Sequence, residues 1–251
     1  MLTEKYILEC LDKYCNFECL HQDNFFEQVV EPLAANQCFE DWTWDNGVTK
    51  GVLIFKHFDY VIKIPFQGEC NYYESHYESE GGTWRYDIST ASRSRYSFVE
   101  SVEEFIDFSG AESGENDWDY CAAEKEIAQY AKQRSLEKCF AITELLGYAQ
   151  EYPIYIQEKC YMFREESTTN EERYKSRTET DYASLRKVRE KVKFWGINDD
   201  WVLDFLIYWG EDILQKFGQF LDEFNVEDLH CGNIGYRNGV PCLVDYSSFR
   251  E

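Results

Sequence analysis

Val226-Glu227-Asp228-Leu229-His230-Cys231-Gly232-Asn233-Ile234-Gly235-Tyr236-Arg237-Asn238-Gly239-Val240-Pro241-Cys242-Leu243-Val244-Asp245 decides the reading of this chain. A helical pattern runs into a polar loop that carries Asp228, and Asn233 follows it before an apolar stretch begins. Asn238-Gly239 is the dipeptide that suits a two-residue hairpin turn, so a short strand, a turn and a second apolar strand are predicted, the last ending in Asp245. That layout brings Asp228, Asn233 and Asp245 to the ends of neighbouring strands. Carboxylate and amide oxygens so gathered are the hard donors that a magnesium ion takes. Capping and turn hydrogen bonds are the alternative use of Asp228 and Asn233. His230 reads as a residue that holds the loop, and Ser247 and Ser248 as turn residues.

Upstream, Val61-Ile62-Lys63-Ile64 places a lysine inside an apolar strand predicted over 60–65. With Val61 and Pro65 as its same-face neighbours, Lys63 is expected to point into the fold or a cleft; snorkelling to the strand end is the other option. Val52-Leu53-Ile54-Phe55 reads as a buried strand, preceded by a glycine-bounded loop from Gly47 to Gly51. A helix is predicted over 119–133 with Tyr120, Ala123, Ile127 and Ala131 on one face and Glu124 beside it; Glu126 lies further from that face. Residues 152–159 read as another strand. At the N-terminus, Ile7, Cys10, Leu11 and Tyr14 have helical spacing with Thr3 as a cap, and a second short helix is predicted over 23–31. Residues 164–180 read as a solvated loop or helix start and 181–194 as a basic helix. One helical stripe spans 199–223, from Trp201 to Leu221. Residues 67–118 hold 12 acidic residues against three arginines and little periodicity, so a long insertion is expected there, a mobile lobe or a partly disordered loop.

Composition sets limits on function. The 251 residues suffice for one large domain or two small lobes, and 18% aromatic residues can supply its core. With 25 basic and 48 acidic residues the formal charge is −23, which repels nucleic acid and anionic membrane and favours a basic partner. Ten cysteines include no Cys-x-x-Cys pair, and no zinc-site spacing occurs. Without an apolar run near 18 residues or a signal-peptide pattern, a cytoplasmic protein with reduced thiols is expected.

The residues Asp228-Leu229-His230-Cys231-Gly232-Asn233, followed by Asp245, resemble the catalytic loop and metal-binding aspartate of the protein-kinase-like superfamily, in particular its aminoglycoside-phosphotransferase-like and bacterial small-kinase-like branches. The resemblance covers roughly 42–66 and 119–251 and implies an α+β, two-lobed fold. Its parts would be an N-terminal helical extension (1–41), an N-lobe (42–158, with the insertion at 67–118) and a minimal helical C-lobe (159–251). It also implies ATP and Mg²⁺ as cofactors. Asp228 would be the base or hydroxyl-orienting residue, and Asn233 and Asp245 the metal ligands. Lys63 would contact the phosphates, with Glu124 as its ion-pair partner. Gly47 and Gly51 fall where the phosphate-covering loop belongs, and Gln157, Glu158, Lys159 and Cys160 where the adenine-binding hinge belongs.

Three positions depart from that pattern: Val226 stands where protein kinases place His, Ser247 stands where they place Gly, and the chain ends at Glu251 without an activation segment. Acceptor binding is therefore expected from 67–118, from 164–195 or from a partner. A phosphotransferase acting on a protein hydroxyl or on itself is the leading expectation, and nothing in the sequence separates phosphoryl from nucleotidyl transfer. Two alternatives stand beside it: a pseudokinase-like module that binds nucleotide without turnover, and an acidic protein that blocks a basic partner surface.

Overall fold

A computed structural model describes residues 2–47, 49–66, 76–79, 82–87, 95–99, 120–163, 177–190, 198–224, 226, 229 and 231–246; within 76–99 it describes the backbone alone. The described residues form an α+β fold with six α-helices and predominantly antiparallel sheets. Asp228, His230, Ser247, Ser248 and most of 67–118 and 164–195 lie outside the described residues.

The central sheet has five antiparallel strands in the order β1-β2-β3-β8-β7. These are β1 (Trp42–Asn46), β2 (Lys50–Phe55), β3 (Tyr60–Pro65), β7 (Thr143–Ala149) and β8 (Tyr152–Glu158). Side chains alternate between the faces of a strand, and the alternation separates two environments. Leu53, Phe55, Ile62, Ile64, Ile154 and Ile156 point to one face and pack in a core with the N-terminal segment. There α1 (Glu4–Tyr14) buries Ile7, Cys10 and Leu11, and its Thr3 cap accepts from Tyr6 N at 3.2 Å. After α1 come a 3₁₀ turn (Gln22–Asn24), a π turn (Phe26–Val30) and α2 (Glu31–Ala35), where a single short helix over 23–31 is predicted from the spacing.

The other face of the sheet carries Lys50, Lys63, Thr143 and Gln157, all buried. Against it lies α3 (Tyr120–Gln133), whose buried residues Cys121, Glu124, Ala128 and Ala131 recur at helical spacing. A second core, largely helical, is built from α3, α4 (Glu179–Arg189), α5 (Asp199–Trp209), α6 (Glu211–Glu223) and a small sheet of β9 (Tyr161–Met162), β10 (Ile234–Arg237) and β11 (Val240–Leu243). Residues 139–143 tie the cores together: Ala141 N donates to Leu243 O at 2.8 Å, and the buried Tyr246 hydroxyl donates to Ala141 O at 2.7 Å. The hairpin turns at Asn238-Gly239, both with positive φ (52° and 80°), as a two-residue primed turn requires.

One expectation is corrected. The stripe over 199–223 is two helices, because Gly210 adopts φ +84°, a conformation that interrupts helix and suits glycine. Within 67–118 the described residues form a three-stranded antiparallel sheet of β4 (His76–Ser79), β5 (Gly82–Asp87) and β6 (Arg95–Val99). Trp84-Arg85-Tyr86-Asp87 and Arg95-Tyr96-Ser97-Phe98 alternate aromatic and polar residues, the strand period.

Candidate functional site

The site begins with a glutamate in an apolar place. Glu124 sits in the buried stripe of α3 and is fully enclosed. An ionised carboxylate there is tolerated only with charge and hydrogen-bond partners. Lys63, on β3, supplies one: its Nζ lies 2.9 Å from Glu124 Oε1 and 2.8 Å from Oε2. Lys50, on β2, supplies another, with Nζ 2.7 Å from Glu124 Oε1. Lys50 Nζ also lies 2.8 Å from Asp245 Oδ1, just beyond β11. Two ammonium groups therefore face two carboxylates in a nearly closed space. The lysine side chains are 5% and 4% exposed; that of Asp245 is 31% exposed and opens the edge of the cluster.

Neutral groups complete it. Thr143 Oγ1 donates to Glu124 Oε2 at 2.8 Å and accepts from Gln157 Nε2 at 2.8 Å. Gln157 Nε2 also donates to Val244 O at 2.8 Å, fastening the segment before Asp245 to β8. Asn233 O accepts from Val244 N at 2.8 Å and from Asp245 N at 3.2 Å, so the backbones of Asn233 and Asp245 lie side by side.

The electrostatics keep both charges. Burial disfavours the Lys50 ammonium, but the attraction of Asp245 and Glu124 outweighs it and holds its pKa above the ordinary lysine value. Burial likewise disfavours the Asp245 carboxylate, but Lys50 and Lys63 outweigh it and hold its pKa below the ordinary aspartate range.

Lys63, Glu124, Asn233 and Asp245 thus come together, and Asp228 lies outside the described residues. The remaining candidates do otherwise. Gly47 is at the end of β1 with open space at its Cβ position, and its N–H donates to Lys50 O at 3.0 Å. Gly51 is inside β2, not in a loop; a Cβ there would lie 2.3 Å from the Phe25 ring, so close packing is what its small size serves. Gln157 is buried in β8, and its amide donates to Thr143 within the charge cluster. Glu158 accepts from Ile142 N at 3.1 Å and from Arg237. Lys159 Nζ donates to Phe55 O at 2.7 Å, and Cys160 Sγ lies 3.4 Å from Cys242 Sγ.

Lys50 and Thr143 are the members that sequence reasoning missed. Lys50 reads as part of a glycine-bounded loop, yet the β2–β3 register pairs Val52 with Lys63 and Lys50 with Pro65. The two lysines share a face, and only the register reveals it. No family model matches the chain, and no curated protein or solved structure does either.

A divalent cation fits this donor set on one condition. Among the described residues no three His, Cys, Asp or Glu side chains gather as a metal cage. Asp245 offers one carboxylate, and Asn233, whose backbone carbonyl accepts from Asp245 N, carries an amide beside it. That is enough for magnesium, which keeps waters and takes phosphate oxygens for its other positions, and too little for an all-protein site.

Proposed function

We propose that the chain is an ATP- and magnesium-dependent phosphotransferase of two-lobed, protein-kinase-like type, acting on a protein hydroxyl or on itself. The observation that carries the reading is the buried Lys63–Glu124 ion pair between sheet and helix, facing Asp245 and Asn233 at the end of a hairpin. A purely structural ion pair has no need of that company. Under this reading residues 1–41 extend an N-lobe of 42–158, and 159–251 form a minimal C-lobe.

In that arrangement Lys63 holds the α- and β-phosphates and Glu124 fixes the direction of its side chain. Asn233 and Asp245 hold the magnesium ion, which supplies charge neutralisation on the phosphates. Asp228 orients the acceptor hydroxyl and takes its proton as the oxygen bonds to the γ-phosphorus and ADP leaves. Gly47 lies on the loop that covers the phosphates, and Glu158 at the end of β8, with Lys159 and Cys160 just after it, borders the adenine.

The test is thermal unfolding with and without ATP and Mg²⁺, on wild type and Asp245→Asn. At ligand a hundredfold above Kd the stabilisation is about 2.7 kcal/mol, or roughly 5–11 °C for a chain of this size. It should require the metal and shrink in the variant. Transfer from γ-labelled ATP then separates an enzyme from a module that binds nucleotide without turnover. That second reading has one observation in its favour: Asp245 Oδ1 is held by Lys50. No shift with nucleotide, together with salt-sensitive binding to a basic protein, would favour the acidic blocking protein instead.

A further inference from the structure

Lys50 has no part in the chemistry just described, yet it is the residue that touches both sides of the cluster. Its Nζ bridges Glu124 Oε1 at 2.7 Å and Asp245 Oδ1 at 2.8 Å. Lys63 Nζ, by contrast, donates to the two oxygens of Glu124. A magnesium ion on a carboxylate oxygen sits about 2.0–2.1 Å from it and carries two positive charges. An ammonium held at the same oxygen by a hydrogen bond repels it strongly in so enclosed a place.

We propose that Lys50 is a built-in cation that fills the metal position of Asp245, so that a divalent ion and the Lys50 ammonium exclude one another at Asp245 Oδ1. The proposal rests on the nucleotide-site reading and deepens it into a rule of binding order. Lys50 is the first residue of β2 and shares the face of Lys63. Displaced from Asp245, it is placed to meet a polyphosphate on that face. Metal alone must evict the ammonium without giving it a new anion. Metal with nucleotide supplies that anion in the same event. Divalent ion and polyphosphate therefore bind with positive coupling, and the empty site rejects metal on its own.

The experiment titrates Mn²⁺ into wild type, Lys50→Met and Lys63→Met, following bound ion by water-proton relaxation, with and without a non-hydrolysable ATP analogue. Lys50→Met should take Mn²⁺ roughly tenfold more tightly than wild type when nucleotide is absent, within the usual range of site–site coupling. Lys63→Met removes the same charge but leaves the Lys50–Asp245 contact, and should stay near the wild-type affinity. In the wild type, Mn²⁺ should bind about tenfold or more weakly without the analogue than with it. Lys50→Gln, a neutral side chain that can still hydrogen-bond, repeats the measurement if Lys50→Met loses its folded circular-dichroism spectrum; if both do, the wild-type comparison decides. Unchanged or weaker Mn²⁺ binding in Lys50→Met overturns the proposal. So does equal tightening in both methionine variants, which would be a field effect and not a contact, or wild-type Mn²⁺ affinity indifferent to nucleotide. The nucleotide reading fails separately, if Mg²⁺ and ATP leave wild-type unfolding unmoved. Tighter Mn²⁺ binding in Lys50→Met would then leave the exclusion standing as a property of Asp245 alone.

Discussion

Glu124→Gln is the substitution that examines the charge cluster most directly. The change is isosteric, so packing is conserved and the loss is electrostatic. Glu124 Oε1 accepts from Lys50 and Lys63, and Oε2 accepts from Lys63 and Thr143. Either orientation of the new amide therefore turns its NH₂ toward an ammonium. Lys50 and Lys63 are then left with Asp245 as their carboxylate in this cluster. Breaking a buried ion pair from one side costs about 3–5 kcal/mol. At roughly 2–4 °C per kcal/mol for a chain of this length, the midpoint should fall by about 6–20 °C. Urea unfolding followed by circular dichroism measures the same loss as a lower transition midpoint at unchanged slope. The double variant Lys50→Met/Glu124→Gln carries the sharper test. It removes one charge of each sign and restores balance between Lys63 and Asp245. The double variant should be no less stable than Glu124→Gln alone, a coupling of about 1–3 kcal/mol relative to additivity. Strict additivity, or a Glu124→Gln variant within about 1 kcal/mol of wild type, would refute the argument that these four charges act as one unit.

Other consequences are simpler. Gly51→Ala puts a Cβ 2.3 Å from the Phe25 ring; an overpacking loss of about 1–3 kcal/mol is expected in thermal unfolding, partly relieved by Phe25→Leu. The Asp245 carboxyl has its pKa depressed in the fold, so its contribution is present above the unfolded value near ~4 and drains away as pH falls below it. The stability difference between wild type and Asp245→Asn should therefore shrink between about pH 4 and pH 2. Lys50 has the opposite sign: its pKa is raised, so its contribution is full below about 10.4 and is lost as pH climbs beyond that, which Lys50→Met should flatten. Burial pushes the thiols of Cys15 and Cys139 up to about 12. In native protein at pH 8, iodoacetamide should label the exposed Cys19 first and reach Cys15 and Cys139 only after unfolding, as peptide mass spectrometry would show.

How far the sequence could be read depended on which periods its residues obeyed. β3 and β8 were legible because Val61-Ile62-Lys63-Ile64 and Ile154-Tyr155-Ile156 have strand character with turn residues outside them. α3 was legible from its apolar face, and that same face separates Glu124, fully buried, from Glu126, which accepts from Tyr130 at the surface. β1 was missed because Trp42-Thr43-Trp44-Asp45-Asn46 is an exposed edge strand with little to bury. β7 was missed because its alternation is broken at a bulge between Leu145 and Gly147. The split at Gly210 was hidden by an apolar stripe that continues across it, since periodicity reports a face and not a backbone angle. Lys50 was hidden for a different reason. A residue's local string does not tell which strand faces it, and the register that aligns it with Lys63 is a tertiary fact.

That missed lysine changes what the chain's charge implies. A protein of net charge −23 presents a field that repels a polyanion, so under the proposed reading the candidate site has to attract one locally. Lys63 alone cannot, because Glu124 neutralises it. Adding Lys50 does not help by count, because Asp245 neutralises it in turn. The four charges sum to zero, and the cluster gains positive character only when Asp245 is given another cation. Under the proposed reading, that makes the divalent ion more than a ligand of the phosphates: by occupying Asp245 it releases Lys50 and converts a neutral, self-satisfied cluster into one that carries net positive charge. Metal, lysine and polyanion are then linked by charge balance, and the acidity of the rest of the chain is what makes the linkage obligatory.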